Sequence, residues 1–301
     1  MDRRFAAIVC VALGWCDLRA QDPILDVLDG ETLYDGGSLV SLGNELQREE
    51  RLRRGGHGVA DATHAHQYTW TSTLAWQYGL RHDLQVGVAV PFLGLAREAA
   101  GAEAEDFGLG DVALLAKWRV HRWDAPGVSI NTSVLGTLSL PTGEDDARDG
   151  GVEREPDLQL GSGGIDPALG LAITPEPGRW RFNAAVYRRW HLDSDGDGDR
   201  RGDQLFAELA IGNRFWLEPY PGPFLRFDVF AHYYRSDRDR LDDARLDDTG
   251  GQRLALGGTL AFRPRPSLDL QLTGEVPVWR DVNGQQLDED WSIQLSLGYR
   301  F

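Results

Sequence analysis

Apolar and polar residues exchange places at every second position along most of this chain. In the final eleven residues, Trp291, Ile293, Leu295, Leu297, Tyr299 and Phe301 occupy one set of positions. Ser292, Gln294, Ser296, Gly298 and Arg300 occupy the other. Alternate side chains of a strand point to opposite faces, so this segment predicts a strand with one apolar and one polar face. The same period runs through 66–79 (Tyr68, Trp70, Leu74, Trp76, Tyr78) and 83–93 (Leu84, Val86, Val88, Val90, Phe92). At 110–121, Val112, Leu114, Ala116, Trp118 and Val120 oppose Lys117, Arg119 and His121. It recurs at 127–140, 165–174, 179–191, 204–216, 223–235, 252–263 and 267–279, which brings the strands to eleven.

The connections alternate in length. Residues 79–82, 123–127, 175–178, 218–222 and 263–266 are short, mostly Pro/Gly turns. Residues 94–109, 141–164, 192–203, 236–251 and 280–290 are long and mostly acidic. Short turns on one side and long loops on the other fit an all-β, antiparallel transmembrane β-barrel with periplasmic turns and acidic outer loops. An even count needs one more strand before residue 66. Leu33–Gly43 is the candidate, with 44–65 as its outer loop, giving twelve strands in a single barrel over 21–301. In a ten-stranded fallback, residues 21–65 fold inward as a plug.

The aromatics form two groups on this topology. Trp76, Tyr78, Trp118, Trp123, Trp180, Trp216, Tyr299 and Phe301 fall near the short turns. Tyr68, Trp70, Trp190, Tyr233, Trp279 and Trp291 fall near the long loops. Amphipathic rings favour both membrane interfaces. A soluble β-sandwich or lipocalin-like barrel would also alternate, but needs neither two aromatic bands nor a terminal Phe.

Composition narrows the compartment. Met1-Asp-Arg-Arg4, an apolar stretch from Phe5 to Trp15, and Leu18-Arg-Ala20 read as a secretory signal peptide over residues 1–20. Both cysteines, Cys10 and Cys16, lie inside it, so the exported chain is expected to lack thiol and disulfide chemistry. The net charge of −16 becomes about −17 when three Arg and two Asp leave with that segment. Such an acidic protein is a poor partner for nucleic acid. Mean hydropathy is −0.37, and no apolar run reaches the roughly 20 residues of a membrane helix.

Gly108-Leu-Gly-Asp-Val-Ala-Leu-Leu-Ala-Lys117, Pro141-Thr-Gly143 and Leu160-Gly-Ser-Gly-Gly-Ile-Asp-Pro-Ala-Leu-Gly170 form an ordered set. This set resembles the outer-membrane "transporter" family often called the meta-pathway of phenol degradation family. The resemblance covers about 66–301 and implies a barrel that passes small, often hydrophobic or aromatic compounds. Residues 21–65 carry no comparable motif. Asp111 and Asp166 each begin the strand that follows, where they can accept backbone N–H bonds at the rim or face the pore mouth.

On the polar faces, the candidate pore-lining residues are Asp83, Lys117, Arg119, Arg181, Arg189, Glu208, Arg226, Asp228, Arg253, Arg263, Asp269 and Glu275. These charges either tune selectivity along a watered path or pair across the lumen and narrow it; a constricted pore is expected. Asp193, Asp195, Asp197 and Asp199 alternate as in the first half of an EF-hand loop and are a candidate calcium site. Gln204 stands where the bidentate Glu is wanted, and a solvated acidic loop explains the run equally. His57, His64 and His66 could offer nitrogens to zinc or copper, but default to surface residues. No His-x-Ser-Asn-Gly-like stretch supports a barrel hydrolase, and no cofactor is implied. The sequence thus reads as a passive outer-membrane channel for small molecules, not an enzyme. Its expected partners are lipid, lipopolysaccharide, the small solute and the barrel-assembly machinery, engaged through Phe301. The alternative is a non-conducting structural or adhesion barrel acting through acidic outer loops.

Overall fold

The computed structural model describes residues 28–149, 152–153, 159–192, 199–241 and 244–301. Eleven antiparallel strands close into a ring. They are β1 Ser38–Gly55, β2 His66–Arg81, β3 Leu84–Ala99, β4 Val112–Ala125, β5 Val128–Leu140, β6 Asp166–Pro177, β7 Trp180–Arg189, β8 Gln204–Leu217, β9 Phe224–Ser236, β10 Gly251–Arg265 and the 33-residue run Leu268–Arg300. That last run is a hairpin. Its residues 268–282 pair with β10, and 282–300 pair with β1. The Arg300 N–H donates back to the Ser267 carbonyl at 2.8 Å. Counted as β11 (268–282) and β12 (285–300), the hairpin gives twelve staves: the eleven found by alternation and the one more that an even count requires before residue 66. Ser38 and Phe301 exchange two backbone hydrogen bonds at 2.8 and 3.0 Å where the ring closes.

The sides of the sheet are inverted relative to a water-soluble protein. Leu114, Leu209 and Leu295 point outward with 45%, 67% and 55% of their surface exposed. Ser133, Thr174 and Gln286 point inward and are fully buried. An apolar exterior around a polar interior is what lipid selects, because closure leaves no backbone edge unpaired. Every stave reaches the roughly 9–11 residues that a tilted strand needs to cross a bilayer. Trp76, Trp118, Trp180, Trp216 and Tyr299 are exposed on the outer surface near the short turns.

Three segments expected as loops are sheet. The first strand is Ser38–Gly55 rather than 33–43, so most of the expected loop 44–65 is stave. Its charged stretch pairs with β2 on one edge and β12 on the other. Arg51 and Arg53 reach Asp290 and Asp288 at 2.9 and 2.8 Å. In the expected loop 94–109, β3 continues to Ala99 and Ala102–Leu109 folds back along it, from Ala99↔Ala102 to Phe92↔Leu109. The expected loop 280–290 is the β11–β12 hairpin. Residues 48–54, 97–106 and 280–290 within these segments are rich in charged and polar side chains without a fixed parity. A strand wetted on both faces has no period-2 signature, so alternation alone cannot find it.

The expected leader, residues 1–20, lies outside the described residues. So do Asp193, Asp195 and Asp197 of the calcium candidate; for Asp199 only the backbone strand is described. Among the described residues, no three His, Cys, Asp or Glu side chains converge to hold a metal. His66 faces Glu98 at 3.5 Å instead.

Candidate functional site

Inward positions of the staves build a cavity of about 510 Å³ in the half of the lumen nearest the short turns. Phe206 from β8 and Phe230 and His232 from β9 form the end of the cavity that faces the long loops. His232 bonds Glu275 through Nδ1 at 2.5 Å and Glu208 through Nε2 at 2.8 Å. Beyond that level, toward the long loops, side chains pack the lumen. Phe206 packs against Tyr187 at a tilt and meets Tyr234 edge-to-face, with centroids 5.4 and 4.9 Å apart. Arg253 lies over the Tyr234 ring at 4.4 Å and pairs with Glu289 at 2.6 Å. The barrel is therefore constricted in its outer half and hollow in its inner half.

A second element shapes the cavity. Residues 28–33 run inside the barrel as a strap along the β3–β7 wall. Gly30 N–H donates to Thr174 Oγ1, and its carbonyl accepts from Ser133 Oγ, both at 2.8 Å. Asn183 holds the Leu28 carbonyl at 2.8 Å, and the Leu33 N–H meets Gln85 at 2.9 Å. A Cβ on Gly30 would meet the Asn131 carbonyl oxygen at 2.2 Å, so only glycine fits that close approach. Asp29 bridges Lys117 Nζ at 2.6 Å and an Arg181 nitrogen at 2.9 Å. Burial opposes ionisation of Asp29, but the charges of Lys117 and Arg181 outweigh it and hold its carboxyl far below the usual range.

The sequence-selected lumen residues divide by position. Lys117, Arg181, Glu208, Arg226, Asp228, Arg263 and Asp269 line the cavity. Arg226 pairs with Asp228 at 2.9 Å, and Arg263 with Asp269 at 2.5 Å. Arg189, Arg253 and Glu275 are buried in the packed region. Asp83 sits in the β2–β3 turn, 3.1 Å from Arg81, and Arg119 reaches the His82 carbonyl at the same rim at 2.5 Å. Sequence reasoning missed Asp29, Glu31, Glu176 and Arg214, which join the Lys117–Arg181 group. It also missed Tyr187, Phe206, Phe230 and Tyr234, inward aromatics whose signal was an apolar residue on a polar face.

The glycine-rich motifs meet at one junction on the outer rim. Asp111 accepts backbone N–H bonds from Thr142 and Gly143 at 3.1 and 2.9 Å and from Ser162 at 2.8 Å. Arg201 donates to the Gly161 carbonyl at 2.7 Å. His191 is buried beside Asp166, 3.6 Å away. Burial, with Arg189 and Arg201 nearby, holds the His191 imidazole well below its usual pKa. The motif set thus ties outer loops together, and Asp111 takes the rim-structural role.

The family described as "Putative MetA-pathway of phenol degradation" matches residues 35–284, and the chain belongs to it. The fold is similar to the crystal structure of the COG4313 outer membrane channel from Pseudomonas putida F1. That match has 18% identity and a TM-score of 0.69, covering 91% of this chain and 98% of the other. The β domain of the Bordetella autotransporter BrkA is similar at 12% identity and TM-score 0.51, covering 89% and 100%. No curated protein sequence matches the chain.

Proposed function

We propose that this protein is a bacterial outer-membrane channel that passes small molecules, including apolar and aromatic ones, through a constricted lumen. The observation that carries the reading is the cavity of about 510 Å³ inside a barrel whose exterior is apolar. Its lining mixes charged side chains with Phe206, Phe224, Phe230 and Leu39, which gives a small amphipathic solute both kinds of contact. The family description and the channel named among similar folds support the same class. Passage needs no covalent chemistry. His232 contacts Glu208, Glu275 and Tyr234.

The packed outer half favours a second reading, a closed barrel that acts through its surface. Solute flux into proteoliposomes separates the two. The channel reading expects entry of phenol and of small neutral solutes at rates above protein-free vesicles. Equal rates from a folded barrel would sink it.

A further inference from the structure

The strap presents the lumen with carboxylates. Asp29 lies between Lys117 from β4 and Arg181 from β7, and Glu31 adds a contact to Arg181 at 3.2 Å. Both cations are buried, with 5% and 9% of their surface exposed. The wall supplies little to balance them. Glu176 lies 3.7 Å from Arg181 but is engaged by Arg214 at 2.5 Å. Among the described residues lining the cavity, six are basic and six acidic, and Asp29 and Glu31 are two of those acids. With the strap withdrawn, the wall is left with excess positive charge at a partly dehydrated site, where a carboxylate is the matching ligand.

We infer that Lys117 and Arg181 form a carboxylate-binding seat in the lumen, that Asp29 occupies it as a tethered competitor, and that small organic carboxylates with an apolar body compete for it. The apolar body is called for by Phe206 and Phe230 in the same cavity. The inference rests on the channel reading, because a solute must reach the lumen. Competition follows from mass action: a site open only a fraction of the time binds more weakly by that fraction.

The test is calorimetric titration of the refolded full chain in detergent with benzoate, and with benzyl alcohol as the neutral control. Two variants empty the seat by different routes. Asp29→Ala with Glu31→Ala removes the competing charges. Gly30→Val lifts the strap, since its side chain would collide with the Asn131 carbonyl, and leaves the wall unaltered. Each is expected to bind benzoate about tenfold more tightly than the parent, with benzyl alcohol unchanged. Adding Lys117→Met and Arg181→Met should abolish the gain. Heat-shifted electrophoretic mobility reports folding, and Gly30→Val carries the test if the double variant misfolds. Parent-like affinity in a folded variant, or a gain that survives loss of both cations, overturns the seat. Benzoate binding without solute flux keeps the seat and sinks the channel reading; flux without a gain in benzoate binding does the reverse.

Discussion

Arg253 of β10 and Glu289 of β12 meet at 2.6 Å with both side chains wholly shielded from water. The pair closes the packed half of the lumen over the Tyr234 ring. Removing one member of a buried pair leaves the other charge less compensated, at a cost of about 3–5 kcal/mol, whereas replacing both by apolar groups of similar volume is often neutral. Glu289→Ala should therefore be strongly destabilising, and Arg253→Met/Glu289→Leu should recover most of the loss. Urea unfolding in micelles, followed by tryptophan fluorescence, reads both. Equal stability of the single variant and the parent would show that the pair is solvated.

Asp111 organises the outer rim through three backbone donors. Hydrogen bonds to a charged group contribute roughly 1.5–3 kcal/mol each, and buried donors left unpaired are costly. Asp111→Ala should loosen the 141–165 connection and leave the staves intact. Limited proteolysis should cut that connection at least tenfold faster, with heat-shifted mobility preserved. Parent-like cleavage would remove Asp111 from this role.

His191 makes the rim acid-sensitive. Its folded pKa lies below the unfolded value of about 6.5, so the unfolded state takes up a proton first. Stability linked to His191 is then fully present above about pH 6.5 and is lost as pH falls toward the depressed value. The His191 share of rim protection against protease should drop between about pH 7 and 5, and His191→Gln should remove that share. An unchanged pH profile in the variant would assign the loss to other groups.

Much of the barrel was legible because lipid enforces period 2. Val112, Leu114, Ala116 and Trp118 had to face outward, and their neighbours Lys117 and Arg119 inward. The charged stretches without a fixed parity were not legible. Arg48, Glu49, Glu50 and Arg51 place charge on both faces; Arg48 and Glu49 pair with both β2 and β12, and Arg51 with β12, and that pairing makes the stretch strand. The site was half legible. Parity found Arg181, Arg226 and Asp228 from one sequence. The Asp29–Lys117 bridge spans 88 residues and joins a segment without periodicity to a stave, so no local pattern could reveal it.

Single-channel recording of the refolded protein in a planar bilayer is the most direct measurement. Arg226 and Arg263 line the cavity, and each is paired with an acid on the same wall. The expected result is a small, stable conductance whose preference shifts toward cations when both arginines are changed to Glu. A folded, heat-modifiable barrel that does not conduct, or a conductance indifferent to those changes, would contradict a solute path through this lumen.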